Sequence, residues 1–257
     1  MTDIHKTAIV HDAAKIGENV TIGPFVVIDE DVVIGDGTTI ASHASLAAGS
    51  RIGKKCRIFQ GAVIGNIPQD LKFENEKTQL IVGDRTDIRE YVTLNRGTSE
   101  TGKTEIGSDC LLMAYAHVAH DCVIGNNVIL ANSVAIAGHV TVEDWVTIGG
   151  LTGCHQFTRV GAHSFIGGCN RIAKDVPPYI LATGEPLRFA GLNRIGLQRR
   201  GFTEEQLRRL KKAYRIIYQS KLNFSQALER VEQEIDLTPE VQKIVDLIRG
   251  STRGVIR

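Results

Sequence analysis

No apolar run in the sequence approaches the ~18 residues that a membrane span requires. The first residues, MTDIHKTAIV, show no basic segment followed by an apolar one, so a secretory signal peptide is not expected. The five cysteines, Cys56, Cys110, Cys122, Cys154 and Cys169, never fall in a CxxC spacing. These absences describe a cytoplasmic protein with reduced thiols and no stable membrane insertion. An excess of one charge is missing too. Lys and Arg number 30 against 29 Asp and Glu, a net +1, which carries no nucleic-acid signature. The balance is uneven, however. From Arg188 to Arg257 fifteen basic residues face eight acidic ones, and the preceding 187 residues are acidic by six charges. Such a basic end is either a solvated helical face or a dock for an acidic partner.

What the chain does have is a period of six. Stepping from Ile4 gives Val10, Ile16, Ile22, Ile28, Ile34, Ile40, Leu46, Ile52, Ile58 and Ile64. The frame resumes at Val82, Ile88 and Leu94, and runs unbroken from Ile106 to Ile172. Of its twenty-nine positions, twenty-five are Ile, Val or Leu, and only Asp70, Glu76 and Glu100 interrupt it apart from Cys154. Glycine often follows the aliphatic residue, and a small or β-branched residue lies four positions after it. Six is neither the 3.6 of a helix nor the 2 of a plain strand. It is the hexapeptide pattern of a parallel β-helix, with the aliphatic residue inside and glycine expected at a bend of unusual backbone angles. Cys56, Cys110 and Cys122 occupy the small slot and Cys154 the aliphatic one, so packing explains them.

The pattern sets the domains. Residues 1–178 form the β-helix, with insertions near 66–80 and 97–105; residues 179–257 form a linker and a helical C-terminal domain. Three helices are expected there. Thr203 with Gln206 makes a capping box ahead of Leu207, Leu210, Tyr214 and Ile217; Asn223 starts the second; Thr238-Pro239 starts the third.

Three hexapeptides make one coil, so each outer residue stacks on the one eighteen positions later. That arithmetic gathers His120, Asp121, Gly138, His139, His155 and Gln156 into one patch, none in an interior slot. His120 suits a general base, with Asp121 to orient it. Gly138 offers a backbone N–H to an oxyanion. No Ser or Cys shares these columns, so direct transfer to a hydroxyl is the expected chemistry rather than a covalent intermediate. The rival is a metal-dependent enzyme of the γ-carbonic-anhydrase type, since imidazoles ligate zinc. Gln156 is an uncommon zinc ligand, and no metal is expected.

The stretches IGPFVVI, QDLKF, AYAHVAHDCVIGNNVILAN, AGHVTVEDW, HQFTRVGAH, GGCNRIAKDVPPY, LQRRGF and STRGVIR span the chain. By them the sequence resembles the bacterial acyl-[acyl-carrier-protein]–UDP-N-acetylglucosamine O-acyltransferases of lipid A synthesis. The resemblance implies a left-handed β-helix and a homotrimer with clefts between subunits. It implies that His120 deprotonates the glucosamine 3-hydroxyl, that Asp121 supports it, and that Gly138 is the oxyanion glycine. Asp70, Lys72, His117, His139, His155 and Gln156 match sugar-nucleotide contacts. Asn193 and Arg200 match nucleotide contacts, and Arg199 a contact to the donor arm. The donor would be an (R)-3-hydroxyacyl chain on the phosphopantetheine of acyl carrier protein, with no resident cofactor. That acidic partner fits the run Arg208, Arg209, Lys211, Lys212 and Arg215 as a docking face. Gly168 falls where relatives vary between glycine and a bulky residue at the end of the acyl groove, and glycine leaves room for a long chain. Asn95 stands where the family often has histidine, and Ile195 where it usually has an acidic residue. Two other classes compete: a related N-acyltransferase, which typically carries an extra N-terminal domain, and a non-catalytic hexapeptide scaffold, which needs no such patch.

Overall fold

The structure, a computed structural model, describes residues 1–257. From Asp3 to Ile172 the chain winds through strands mostly two residues long, joined by bends. They stack into three parallel sheets. The first runs from Asp3–Ile4 to Phe165–Ile166, the second from Ile9–Val10 to Arg171–Ile172, and the third from Lys15–Ile16 to Arg159–Val160. The solenoid is a left-handed β-helix with three faces. Register follows the sequence period: Ile22 pairs with Ile40 and Val118 with Ile136, each eighteen residues apart. Across the first insertion Ile58 pairs with Ile88, and across the second Leu94 pairs with Val118. Both insertions therefore lengthen a coil by whole hexapeptides and leave the frame in phase.

Interior packing follows the same frame. Every aliphatic position from Ile22 to Ile172 is buried, while Ile4 at the open end is half exposed. Four of the cysteines are buried with them, and Cys169 is exposed. Desolvation pushes the thiol of Cys110 up to about 11 and those of Cys122 and Cys154 up to about 12, so they stay protonated and pack as small hydrophobes.

The glycines correct one expectation. Gly17, Gly35, Gly53, Gly107 and Gly125 do not carry the left-handed backbone; that falls two residues later, on Asn19, Gly37, Lys55, Asp109 and Asn127. The glycines are needed for close approach instead. A Cβ on Gly35 would lie 2.6 Å from the carbonyl carbon of Gly53 in the next coil. Carboxylates cross the same corner: Asp36 Oδ1 accepts from the Glu18 N–H at 3.0 Å, and Asp144 Oδ1 from the Asn126 N–H at 2.7 Å.

The boundary expected at residue 178 falls inside continuous structure. Ile180–Thr183 extends the first sheet beyond Phe165–Ile166, and Arg188–Leu192 returns antiparallel beside it. Four helices follow rather than three: α1 (Arg194–Arg199), α2 (Glu204–Gln219), α3 (Phe224–Glu234) and α4 (Pro239–Arg249). Six residues are too few to display a period, so α1 is invisible in the sequence. The capping box of Thr203 and Gln206 is formed, and a second one joins Asn223 to Gln226. Thr238 takes the N-cap position without a capping bond. Leu207, Leu210, Tyr214 and Ile217 are buried as one face, and the Tyr214 hydroxyl donates to the Pro178 carbonyl. The tail comes home: Ile256 N–H donates to the Asp175 carbonyl at 3.0 Å. No helix is long and apolar enough to cross a membrane.

Two glycines test the packing account. Gly153 lies on an outward strand position with nothing within 4 Å of an added Cβ. Gly35→Ala should cost about 1–3 kcal/mol through overpacking against backbone, whereas Gly153→Ala should leave the thermal melting temperature unchanged or raise it. Equal effects in thermal melts would refute the close-approach explanation.

Candidate active site

His120 and Asp121 occupy the bend that follows the strand His117–Val118. Asp121 has φ 59°, and His139 and Phe157 repeat that left-handed backbone one and two coils on. The Asp121 side chain is fully buried, which would leave a carboxylate destitute without donors. Four donors reach it. Thr98 gives its N–H at 3.0 Å and its hydroxyl at 2.7 Å, Thr101 gives its hydroxyl, and His120 gives Nδ1–H at 2.7 Å. Burial alone would raise this carboxyl, but the bonds from Thr101, His120 and Thr98 outweigh it and hold the group below its ordinary 3.8. Asp121 is therefore a carboxylate, and its acceptor oxygen assigns the proton of His120 to Nδ1. Nε2 is left with a free lone pair.

That lone pair faces Gly138. A Cβ on Gly138 would lie 2.7 Å from Cε1 and 2.9 Å from Nε2 of His120, so any side chain would collide with the imidazole. The Gly138 N–H has no partner within the chain. His139 stacks on Phe157 with ring centroids 4.6 Å apart and stands edge-on to His120 at 5.1 Å. His117 bonds Thr93 Oγ1 through Nδ1 at 2.7 Å, and burial holds it below the ordinary 6.5, hence neutral. His155 Nδ1 lies 3.0 Å from an Arg253 guanidinium nitrogen of the tail.

Two adjoining clefts collect the expected residues. One, of about 610 Å³, is lined by His117, His120, Gly138, His155 and Gln156. The other, of about 470 Å³, is lined by Asp70, Lys72, His120, His139 and Gln156. Asn95 accounts for the placement of the first insertion: its Nδ2 donates to the Ile67 carbonyl at 2.9 Å, where the loop leaves the coil. Arg96 adds a cation–π contact to Phe73, 5.5 Å from the ring centre.

Three residues stand elsewhere. Asn193, Arg199 and Arg200 line a groove of about 710 Å³ over the outer face of the first sheet, with Ile129, Thr147 and Phe165. Asn193 caps α1 and donates Nδ2 to the His163 carbonyl at 2.9 Å. Arg200 lies over Trp145 at 5.1 Å from the ring centre and 3.4 Å from His163 Nδ1. Burial, with Arg200 and Lys243 nearby, pushes His163 down to about 4, so it meets the guanidinium as a neutral acceptor. Ile195 is exposed in the same groove and puts no carboxylate there. Gly168 lies at the corner after the first sheet, where an added Cβ would sit 3.1 Å from the Gly150 carbonyl oxygen.

The basic run splits in two. Arg208, Lys211 and Arg215 line a groove of about 400 Å³ with Arg194 and Phe189. Arg209 instead pairs with Glu205 at 2.8 Å, and Lys212 donates to the Glu234 carbonyl at 2.8 Å. Sequence reasoning missed Thr98, Thr101, Thr93 and Arg253. The one available signal was the density of threonine in GTSETGKTE, where the frame breaks opposite the histidine patch.

The family model described as UDP N-acetylglucosamine O-acyltransferase, domain 2, matches residues 175–256, and the bacterial transferase hexapeptide model matches 13–48 and 103–138. A Myxococcus xanthus protein named acyl-[acyl-carrier-protein]–UDP-N-acetylglucosamine O-acyltransferase is 49% identical over 258 residues, covering 100% of both chains. The crystal structure of a Bacteroides fragilis UDP-N-acetylglucosamine acyltransferase superposes with a TM-score of 0.97 at 50% identity, over 99% of this chain and 100% of that one. LpxA from Acinetobacter baumannii superposes at 0.96 with 42% identity, over 99% of both chains.

A pH experiment tests the threonine clamp. Asp121 has a depressed folded pKa, so the stability it lends is complete above 3.8 and is lost as pH falls through the depressed value. Thr101→Val removes one donor and should cost about 1.5–3 kcal/mol near neutrality. It should also move the acid-side fall of melting temperature to higher pH, and Thr101→Ser should restore both. An unchanged acid limb in the valine variant would show that Thr101 does not hold the charge.

Proposed function

The chain belongs to the acyl-[acyl-carrier-protein]–UDP-N-acetylglucosamine O-acyltransferase family, and on that premise we propose that His120 is the general base of its acyl transfer. It is an acyltransferase of lipid A biosynthesis, acting at the first step. In our reading an (R)-3-hydroxyacyl chain passes directly from acyl carrier protein to the 3-hydroxyl of UDP-N-acetylglucosamine. The relatives' names favour the hydroxyl over an amine as acceptor. The observation that carries the proposal is the His120–Asp121 hydrogen bond of 2.7 Å, with Nε2 left open beside Gly138.

The steps follow from those atoms. Nε2 accepts the proton of the 3-hydroxyl as its oxygen attacks the thioester carbonyl. The carbonyl oxygen becomes an oxyanion, and the unpartnered Gly138 N–H suits it as a donor. The imidazolium that forms is stabilised by the buried Asp121 carboxylate. Collapse expels the pantetheine sulfur, which takes the proton from Nε2 and leaves as a thiol. Asp70, Lys72, His117, His139, His155 and Gln156 line the clefts on either side of Nε2 and serve as sugar-nucleotide contacts.

A homotrimer accounts for what one chain leaves apart. Phe25, Tyr91, Tyr115 and Leu151 form a column at the corner between the first and second sheets, each more than half exposed. An apolar column of that length calls for a partner. Packing that corner on a three-fold axis sets the first sheet of one copy against the second sheet of the next. Asn193, Arg199 and Arg200 of one copy then complete the cleft of His120 in its neighbour, as nucleotide and donor-arm contacts. Gly168 lies at the same corner and leaves the end of the acyl groove open to a long chain. Arg208, Lys211 and Arg215 are the three of the five basic residues free to meet acidic carrier protein.

His120→Ala should lower kcat by about 10²–10⁴ while the oligomer stays folded. Activity within about tenfold of wild type would sink the base assignment. The shared cleft has its own test. His120→Ala and Arg200→Ala chains, each inactive, are denatured together and refolded. Random mixing in a closed trimer leaves about a quarter of the clefts intact, so activity should reappear. No recovery in verified mixed trimers would place both residues in the same chain's cleft.

A further inference from the structure

His120, Asp121 and His139 bring three ligand atoms within 4.8 Å of one another, and no other group of three or more His, Cys, Asp or Glu side chains in the chain does so. A fourth ligand stands above them. Glu100, in the second insertion, places Oε2 3.6 Å from His139 Nε2, and Asp121 Oδ2 lies 3.7 Å from the same nitrogen. Ligands about 2.0–2.1 Å from a tetrahedral zinc ion are separated by roughly 3.3 Å, so the two gaps at His139 need to close by a few tenths of an ångström, the 2.7 Å His120–Asp121 pair needs to open, and Glu100, outside the 4.8 Å group, must swing in to join it. The Glu100 side chain is two-thirds exposed and free to swing, while Asp121 is buried and fixed. Two imidazoles and two carboxylates make a donor set suited to a zinc-like divalent ion.

We propose that this cluster is an inhibitory site for a divalent transition metal, held by His120 Nδ1, Asp121 Oδ2, His139 Nε2 and Glu100 Oε2. The proton balance explains the inhibition. In the metal-free dyad Nδ1 carries the imidazole proton and donates it to Asp121. A metal on Nδ1 needs that lone pair, so the imidazole proton moves to Nε2 and none is released from the ring. A neutral imidazole ligated through Nδ1 has its N–H at Nε2. The nitrogen beside Gly138 then has no lone pair to accept a substrate proton. A metal on these groups abolishes the base instead of activating water, which is the reverse of a catalytic zinc. The inhibition, though not the binding, rests on His120 being the base.

Cobalt(II) titration of chelator-stripped protein reads the site directly, because four-coordinate cobalt absorbs in the visible. One equivalent per chain with that spectrum is expected. In the transfer assay zinc should lower kcat by about 10²-fold or more at saturation, and added chelator should restore it. Measured against its own metal-free rate, Glu100→Gln should need about tenfold more zinc for the same fractional inhibition. Absence of the cobalt spectrum overturns the proposal, as does equal zinc sensitivity of Glu100→Gln and wild type. Binding without loss of kcat overturns it as well. Activity that chelator abolishes and added metal restores overturns it in favour of a catalytic metal. If the stripped protein is inactive and stays inactive when metal is returned, the base assignment fails on its own, and the cobalt titration still decides whether the site exists.

Discussion

The register of one coil on the next is the constraint from which the rest follows. Backbone bonds such as His117 N–H to the Val134 carbonyl at 2.8 Å and Ala119 N–H to the Ile136 carbonyl at 3.0 Å tie each turn to its successor. A buried aliphatic column holds the phase, because a slip of one residue would turn Val118 or Ile136 outward. With the phase fixed, outer residues eighteen apart become neighbours. That is how His120 meets Gly138, and how Asp121 comes beside His139.

A buried carboxylate on the outside of a solenoid is costly unless something donates to it. The second insertion supplies the donors. It lengthens its coil by one whole hexapeptide, so it disturbs no register, and it folds Thr98 and Thr101 over Asp121 while Thr104 accepts the Asp121 N–H at 2.9 Å. The first insertion forms the outer wall of the cleft, anchored by the Asn95 bond to the Ile67 carbonyl and by Arg96 over the Phe73 ring. The repeat thus provides rigid columns, and its two interruptions provide the chemistry that columns alone cannot.

The helical tail belongs to the same scheme. Its strand pair extends the first sheet, α1 places Asn193 and the arginines over that sheet's outer face, and Arg253 reaches back to His155. Charge is distributed accordingly. The basic residues of α2 divide by helical spacing into one set that lines a groove and another consumed by Glu205 and the Glu234 carbonyl. A count of cations in the sequence cannot make that division, because it depends on which side of the helix packs.

The sequence alone determined the β-helix, its eighteen-residue register, the phase of both insertions and the patch of His120, Asp121, Gly138, His139, His155 and Gln156. All of these follow from a period, and a period is written residue by residue. Resemblance added handedness and the expected roles of Asn193, Arg199 and Arg200, which no period encodes. The tertiary structure decided the rest. It moved the need for glycine from backbone angle to close approach, since the contact partner of Gly35 is Gly53 and not a neighbour in the chain. It also chose which threonines hold Asp121. An irregular loop has no repeat to read, and its hydrogen bonds are set by where the folded coil puts a charge that needs them.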